Sequence, residues 1–230
     1  MEKASQDKRI LAARRIYLLL AALFIAALIT CNIIANKFIE LDLGFKTFIL
    51  SVGVLPYPLT FLITDILSEV YGRKRTNEVV VAGFFVSLFV LFILWLGSIF
   101  PAIDASPVKD FEYDTVFQNS WRVILASMIA YLAAQLVDVR LFHFWKNLTK
   151  GDHLWIRNNF STIFSQLLDT VLVVTVIFIG RASGEDIFAM IRDGWLFKVL
   201  AALIDTFFIY LVIHGFRRVF GLKKGEELVI

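Results

Sequence analysis

Apolar runs of about 20 residues recur along the whole chain, and that is the length an α-helix needs to cross the hydrocarbon core of a bilayer. A lipid environment offers no partner to an open backbone, so such runs must close their hydrogen bonds within themselves as helices. The runs lie at 16–36, 48–70, 79–100, 120–145, 154–179 and 195–216. A soluble fold does not hold so many. Hydrophobic residues are 59% of the 230, where roughly 45–50% is usual for soluble domains. The expected fold class is therefore all-α: a polytopic membrane protein, a bundle of six transmembrane helices. The second helix carries Gly53, Pro56 and Pro58 in its first half and is expected to be broken by its prolines.

Charge placement sets an expected topology. The net charge of +3 does not read as nucleic-acid binding, because the cations sit at the ends of apolar runs. The basic N-terminus, the Arg73-Lys74-Arg75 turn, the 140–157 region and the C-terminus hold most of the 23 Lys and Arg. Lys37, Lys46, Lys109, Arg122, Arg181, Arg192 and Lys198 fall on the other side. This bias predicts both termini in the cytoplasm, which an even number of helices requires. Residues 1–15 are expected as a cytoplasmic basic N-terminus, 16–217 as one six-helix transmembrane domain, and 218–230 as a cytoplasmic tail. The first run is long and lacks a small-residue cleavage pattern, so it reads as a membrane helix and not a removed signal peptide. Residues 38–48 alternate partly and contain Gly44, which predicts a short extended or hairpin-like connection at the interface.

Within this apolar frame the acids are conspicuous. A carboxylate at mid-bilayer costs about 2.5–3.5 kcal/mol even on insertion scales. Asp65 and Glu69 are four apart, within about 40° of each other on a helix. Gln135 with Asp138, and Gln166 with Asp169, repeat one spacing on the fourth and fifth helices. Asp205 lies on the sixth, seven residues after Lys198. Asn32 and Asn36, followed by Lys37, make the end of the first helix polar. Trp155 and Arg157 open the fifth. Acids spread over four helices predict a central cavity lined from several sides. Its candidate binding residues are Asn32, Asn36, Asp65, Glu69, Gln135, Asp138, Gln166, Asp169 and Trp155. Trp155 is weighed against a role as an interface anchor, and the two asparagines against bonding between helices. Supporting ion pairs are expected from Lys37, Arg157 (to Glu69 or Asp138) and Lys198 (to Asp205). Carboxylates, amides and aromatic rings suit a small polar solute, planar or cationic.

Other chemistries find no footing. There is no G-x-x-x-x-G-K-[ST] phosphate loop, no H-E-x-x-H and no G-x-S-x-G. His143, His153 and His214 are scattered, and Cys31 is the only cysteine. No cofactor, metal site or intrachain disulfide is expected.

Asn36-Lys37, the block Thr64-Asp65-Ile66-Leu67-Ser68-Glu69-Val70-Tyr71-Gly72 and the block Ser165-Gln166-Leu167-Leu168-Asp169-Thr170 resemble the queuosine precursor transporter family, which is vitamin-uptake-like. The resemblance covers about residues 15–218. It implies a six-helix inner-membrane importer of 7-cyano-7-deazaguanine and 7-aminomethyl-7-deazaguanine for queuosine synthesis, with no enzymatic step. It also implies an architecture similar to the substrate-binding subunits of energy-coupling-factor transporters. A binding subunit needing a separate ATPase, and an integral-membrane enzyme, stand as the alternative readings. A homodimer and a coupling ion, proton or sodium, are left open.

Overall fold

The computed structural model describes residues 2–117, 121–180 and 182–228, with backbone alone for 2–7, 121–126 and 177. The expected start of the fourth helix at Ser120, the side chain of Arg122, and Arg181 lie outside what is described. Helices α1 (Glu2–Ile33), α2 (Tyr57–Ile99), α3 (Asp110–Phe117), α4 (Trp121–Leu148), α5 (Leu154–Phe178) and α6 (Gly184–Phe220) make up most of the chain. Four stretches among the described residues are long and apolar enough to cross a bilayer: Lys8–Ile33, Val52–Ile99, Leu154–Val176 and Gly184–Phe220. The chain is thus a multi-pass membrane protein.

Helix α2 has 43 residues, which would extend for about 65 Å if straight, twice a bilayer core of about 30 Å. It does not run straight. Gly72 has φ 80° and ψ 170°, a conformation open to glycine and almost closed to other residues. Helix α1 shows what the break does. Tyr71, just before it, donates to Ala13 O at 2.9 Å, and Tyr17 donates to Arg75 O, just after it, at 3.2 Å. Further along α1, Phe24 and Leu28 flank Gly83, while the Cys31 carbonyl lies against Gly53. Numbers therefore rise with α1 along the second arm of α2 (73–99) and fall along the first arm (57–71). The two arms are antiparallel, and the chain reverses at one residue without a loop.

Several sequence expectations change here. Residues 48–55 are not α-helical. They continue a hairpin of β1 (Phe38–Asp42) and β2 (Thr47–Ser51), antiparallel, with Phe38 opposite Ser51 and Asp42 opposite Thr47. A 3-10 turn over Val52–Val54 follows, and α2 begins at Tyr57 after Pro56. The prolines accordingly sit at the start of the helix, where a missing N–H costs nothing, and do not interrupt it. The fold is helical with one small sheet, not purely α. The hairpin was expected over 38–48 and extends to Ser51; Gly44 turns it with φ +82°, and Asp42 Oδ1 accepts from its amide at 2.9 Å. Helix α6 starts at Gly184, well before the apolar run at 195–216. Ser183 caps that start by accepting from the Asp186 amide, with Glu185 and Asp186 in the first turn, both favourable at a helix N-terminus. Helix α1 ends at Ile33, which leaves Asn36 beyond it.

The packing is inverted relative to a soluble domain. Phe85, Phe89, Phe92, Phe207 and Leu211 face outward, while Thr60, Thr64, Asp65, Ser68, Gln135 and Asp138 are buried. In lipid the hydrophobic effect does not hold helices together, so close packing and polar bonds must. Gly83 illustrates the first. A Cβ there would come within 2.8 Å of Tyr131 Oη and 2.9 Å of Phe24, so glycine lets α1, α2 and α4 converge.

Candidate functional site

The buried polar groups of α2, α4, α5 and α6 stand in three tiers along the bundle axis. The first lies by the Gly72 reversal. Glu69, on the last turn of the first arm, accepts from Arg157 Nη2 at 2.7 Å and from Arg217 Nη2 at 3.2 Å. Lys146 Nζ lies 3.8 Å from its other oxygen. Arg157 is fully buried, donates also to Asp152 O at 2.8 Å, and covers the Phe142 ring at 5.7 Å. A carboxylate this deep needs such partners. Of the two partners expected for Arg157, the fold selects Glu69.

The same tier is strapped by the C-terminal segment. Leu228 N donates to Val70 O at 2.7 Å, a carbonyl that the Gly72 break deprives of its helical partner. Glu227 pairs with Lys146 at 2.8 Å and lies over Gly72. Lys224 donates to Asp152 at 2.9 Å, and this bond holds the exposed Asp152 carboxyl below its usual range.

The third tier lies toward the hairpin end. Asp169 accepts from Lys198 Nζ at 2.6 Å and from Tyr57 Oη at 3.0 Å. Lys198 also donates to Thr170 and lies 4.8 Å above the Tyr57 ring. The expected pair of Lys198 with Asp205 is therefore replaced. Seven residues bring two side chains into line but place them about 10 Å apart along the axis, whereas Asp169 is directly across. Lys46, on the hairpin, reaches Asp193 of α6 at 2.5 Å.

Between these lies the middle tier. Asp65 of α2 and Asp138 of α4 converge on one turn of α5. Helix α5 supplies hydroxyls to both: Ser165 donates to Asp138 at 2.8 Å, and Thr162 to Asp65 at 3.5 Å. Gln135, fully buried, accepts from Thr64 at 3.2 Å. Asp65 Oδ1, Asp138 Oδ2 and Gln166 Oε1 are buried without a hydrogen-bond partner among the described residues. Asn158 and Asn159 approach Thr206 of α6 through their amide nitrogens, at 3.3 and 2.7 Å, leaving their oxygens unpaired. Asp205 is half-buried nearby.

Five expected residues are thus gathered in or beside this interior: Asp65, Gln135, Asp138, Gln166 and Asp169. Glu69 belongs to the ion-pair tier. The others stand away from it. Asn36 is exposed, and its amide holds the main chain of α3 by donating to Val116 O at 2.6 Å, because α1 stops before it. Trp155 is 47% exposed, with its indole on the outer surface, as an interface anchor would be. Lys37 is exposed beside the hairpin. Asn32 is half-buried near the end of α1. Tyr57, Lys146, Arg217 and Glu227 are site neighbours that sequence reasoning missed. Each is linked through space alone, and only the deep position of Lys146, eight residues past Asp138 on one helix, carries any sequence signal.

Residues 51–212 match the family described as "Putative vitamin uptake transporter". A "Probable queuosine precursor transporter" of Bacillus subtilis is 30% identical over 162 residues, 70% of either chain. The "Queuosine precursor transporter" of Escherichia coli is 24% identical over 178 residues, 74% of this chain and 75% of the relative. A Haemophilus influenzae relative, named like the first, is 26% identical over 131 residues, 56% of this chain and 52% of its own. No solved structure matches the chain.

Proposed function

The chain belongs to the vitamin uptake transporter family, and from that premise we propose that it imports queuosine precursors of the 7-deazaguanine type, as its relatives' names indicate for them. It works as a transporter and not an enzyme, in the bacterial inner membrane. Counting each arm of α2 separately, and adding α4, the bundle makes six passes with both termini in the cytoplasm. The clustering of Arg73, Arg75, Lys146, Arg157, Arg217 and Lys224 at the Gly72 end supports that orientation.

One observation carries the substrate assignment: the unpartnered buried atoms of the middle tier are acceptors. Asp65 Oδ1 and Gln166 Oε1 offer what a guanine-like edge needs. Its ring N–H and exocyclic amino group donate together to a carboxylate, and a further N–H suits an amide oxygen. A solute with mostly acceptor atoms would leave these groups desolvated and unpaired, costing about 1–3 kcal/mol for each. Asp65, Gln166 and Gln135 form the binding wall. The paired Asp169 and Glu69 hold the helices at either end.

The test is thermal stabilisation of the purified protein by 7-cyano-7-deazaguanine and 7-aminomethyl-7-deazaguanine. At a hundred times Kd, stabilisation of about 2.7 kcal/mol is expected, and Asp65→Ala and Gln166→Ala weaken it. Full stabilisation in both variants overturns the assignment. Uptake by liposomes holding this chain alone separates a self-sufficient carrier from a subunit that needs an ATPase.

A further inference from the structure

The three tiers differ in charge compensation. Glu69 is met by Arg157, Arg217 and Lys146, and Asp169 by Lys198. Asp65 and Asp138, 1% and 0% exposed, are held by hydroxyls one turn apart on α5 and have no cation at ion-pairing distance among the described residues. Arg157 and Lys198 of the flanking tiers are committed elsewhere. Asp205, half-buried on α6, supplies no positive charge either. Two carboxylates brought together away from water and without a cation do not both stay ionised, and the usual resolution is that the pair keeps one proton. The donors present, Ser165 to Asp138 and Thr162 to Asp65, leave one oxygen of each carboxyl unpartnered. A proton carried on Asp138 Oδ2 satisfies that carboxyl and leaves Asp65 Oδ1 to accept from the substrate. No group of three or more His, Cys, Asp or Glu side chains among the described residues could hold a metal ion.

We propose that the Asp65–Asp138 pair is the coupling site of the carrier, and that the ligand it takes up and releases with each transport cycle is a proton. This rests on the transport reading above. Asp65 sits on the first arm of α2, Asp138 on α4, and the hydroxyls that orient them on α5. With the proton in place these three helices close around the middle tier. Without it the carboxylates repel and the tier opens. Closure over the substrate takes one proton from the medium onto a carboxylate oxygen, and opening on the other side returns it to water. No covalent bond changes, and the charge carried is that of one proton.

Two measurements test this. In liposomes containing the chain alone, an inside-alkaline pH gradient is expected to drive accumulation of 7-cyano-7-deazaguanine. Substrate addition should consume protons from the outer medium, one per molecule imported, as read by a pH dye. Accumulation driven by a sodium gradient and indifferent to pH overturns the proposal, and so does uptake that only equilibrates. Absence of any uptake would count against the transport reading itself, so the second measurement needs no transport. Infrared difference spectroscopy of the purified protein should show a protonated carboxyl band at neutral pH that disappears in both Asp65→Asn and Asp138→Asn. Loss in neither variant overturns the shared proton. Substrate Kd should fall by up to about tenfold per unit of acidification where binding takes up one proton. A flat Kd between pH 5 and 9 refutes coupling.

Discussion

Replacing Gly72 by alanine tests the reversal on which the bundle depends. The residue lies at φ 80° and ψ 170°, where a side chain costs about 1–3 kcal/mol. Its Cβ would also fall 2.1 Å from Glu227 Oε2. That carboxylate is the end of a flexible, 42% exposed side chain. It can swing away, losing its pair with Lys146, worth at most about 1 kcal/mol at such exposure. The expected loss is about 1–4 kcal/mol, read by unfolding in detergent. Glu227→Ala divides the sum. Alone it costs about 1 kcal/mol or less. In its background Gly72→Ala retains the backbone cost and sheds the collision. Wild-type stability of Gly72→Ala would refute the reversal at this residue. An equal cost in both backgrounds would refute the seating of the C-terminal strap over it.

Arg157→Met leaves Glu69 buried with Arg217 and Lys146 alone; a loss of about 3 kcal/mol is expected, partly recovered in the double variant with Glu69→Gln, as urea or detergent unfolding would show. Gly53→Ala places a Cβ 2.3 Å from the Cys31 carbonyl, an overpacking that costs about 1–3 kcal/mol and lowers the melting temperature. Asp152 is held below its usual range by Lys224, so the bond contributes above the unfolded carboxyl value of about 3.9. That contribution is lost as pH falls through the lower folded value. Hydrogen exchange in 222–228 should therefore quicken only in that acid window, and at every pH in Asp152→Asn.

The length and apolarity of the runs fixed a helical membrane protein, since lipid permits little else for such segments. Spacing within a helix is local geometry, so it also put Asp65, Asp138, Asp169 and their amides on inward faces. The motifs around Gly72 and Asp169 carried the family resemblance. Partner choice was not legible, because it depends on which helices become neighbours and at what height. Lys198 lines up with Asp205 in sequence yet bonds Asp169 across the bundle. Asn36 follows the periodicity of α1 yet serves α3, and the prolines of 56–58 look like a break but open a helix. Only the tertiary structure decided that Glu69 and Asp169 are neutralised while Asp65 and Asp138 converge on α5 without a cation. Charge compensation is a property of distances between helices, which no single helix encodes.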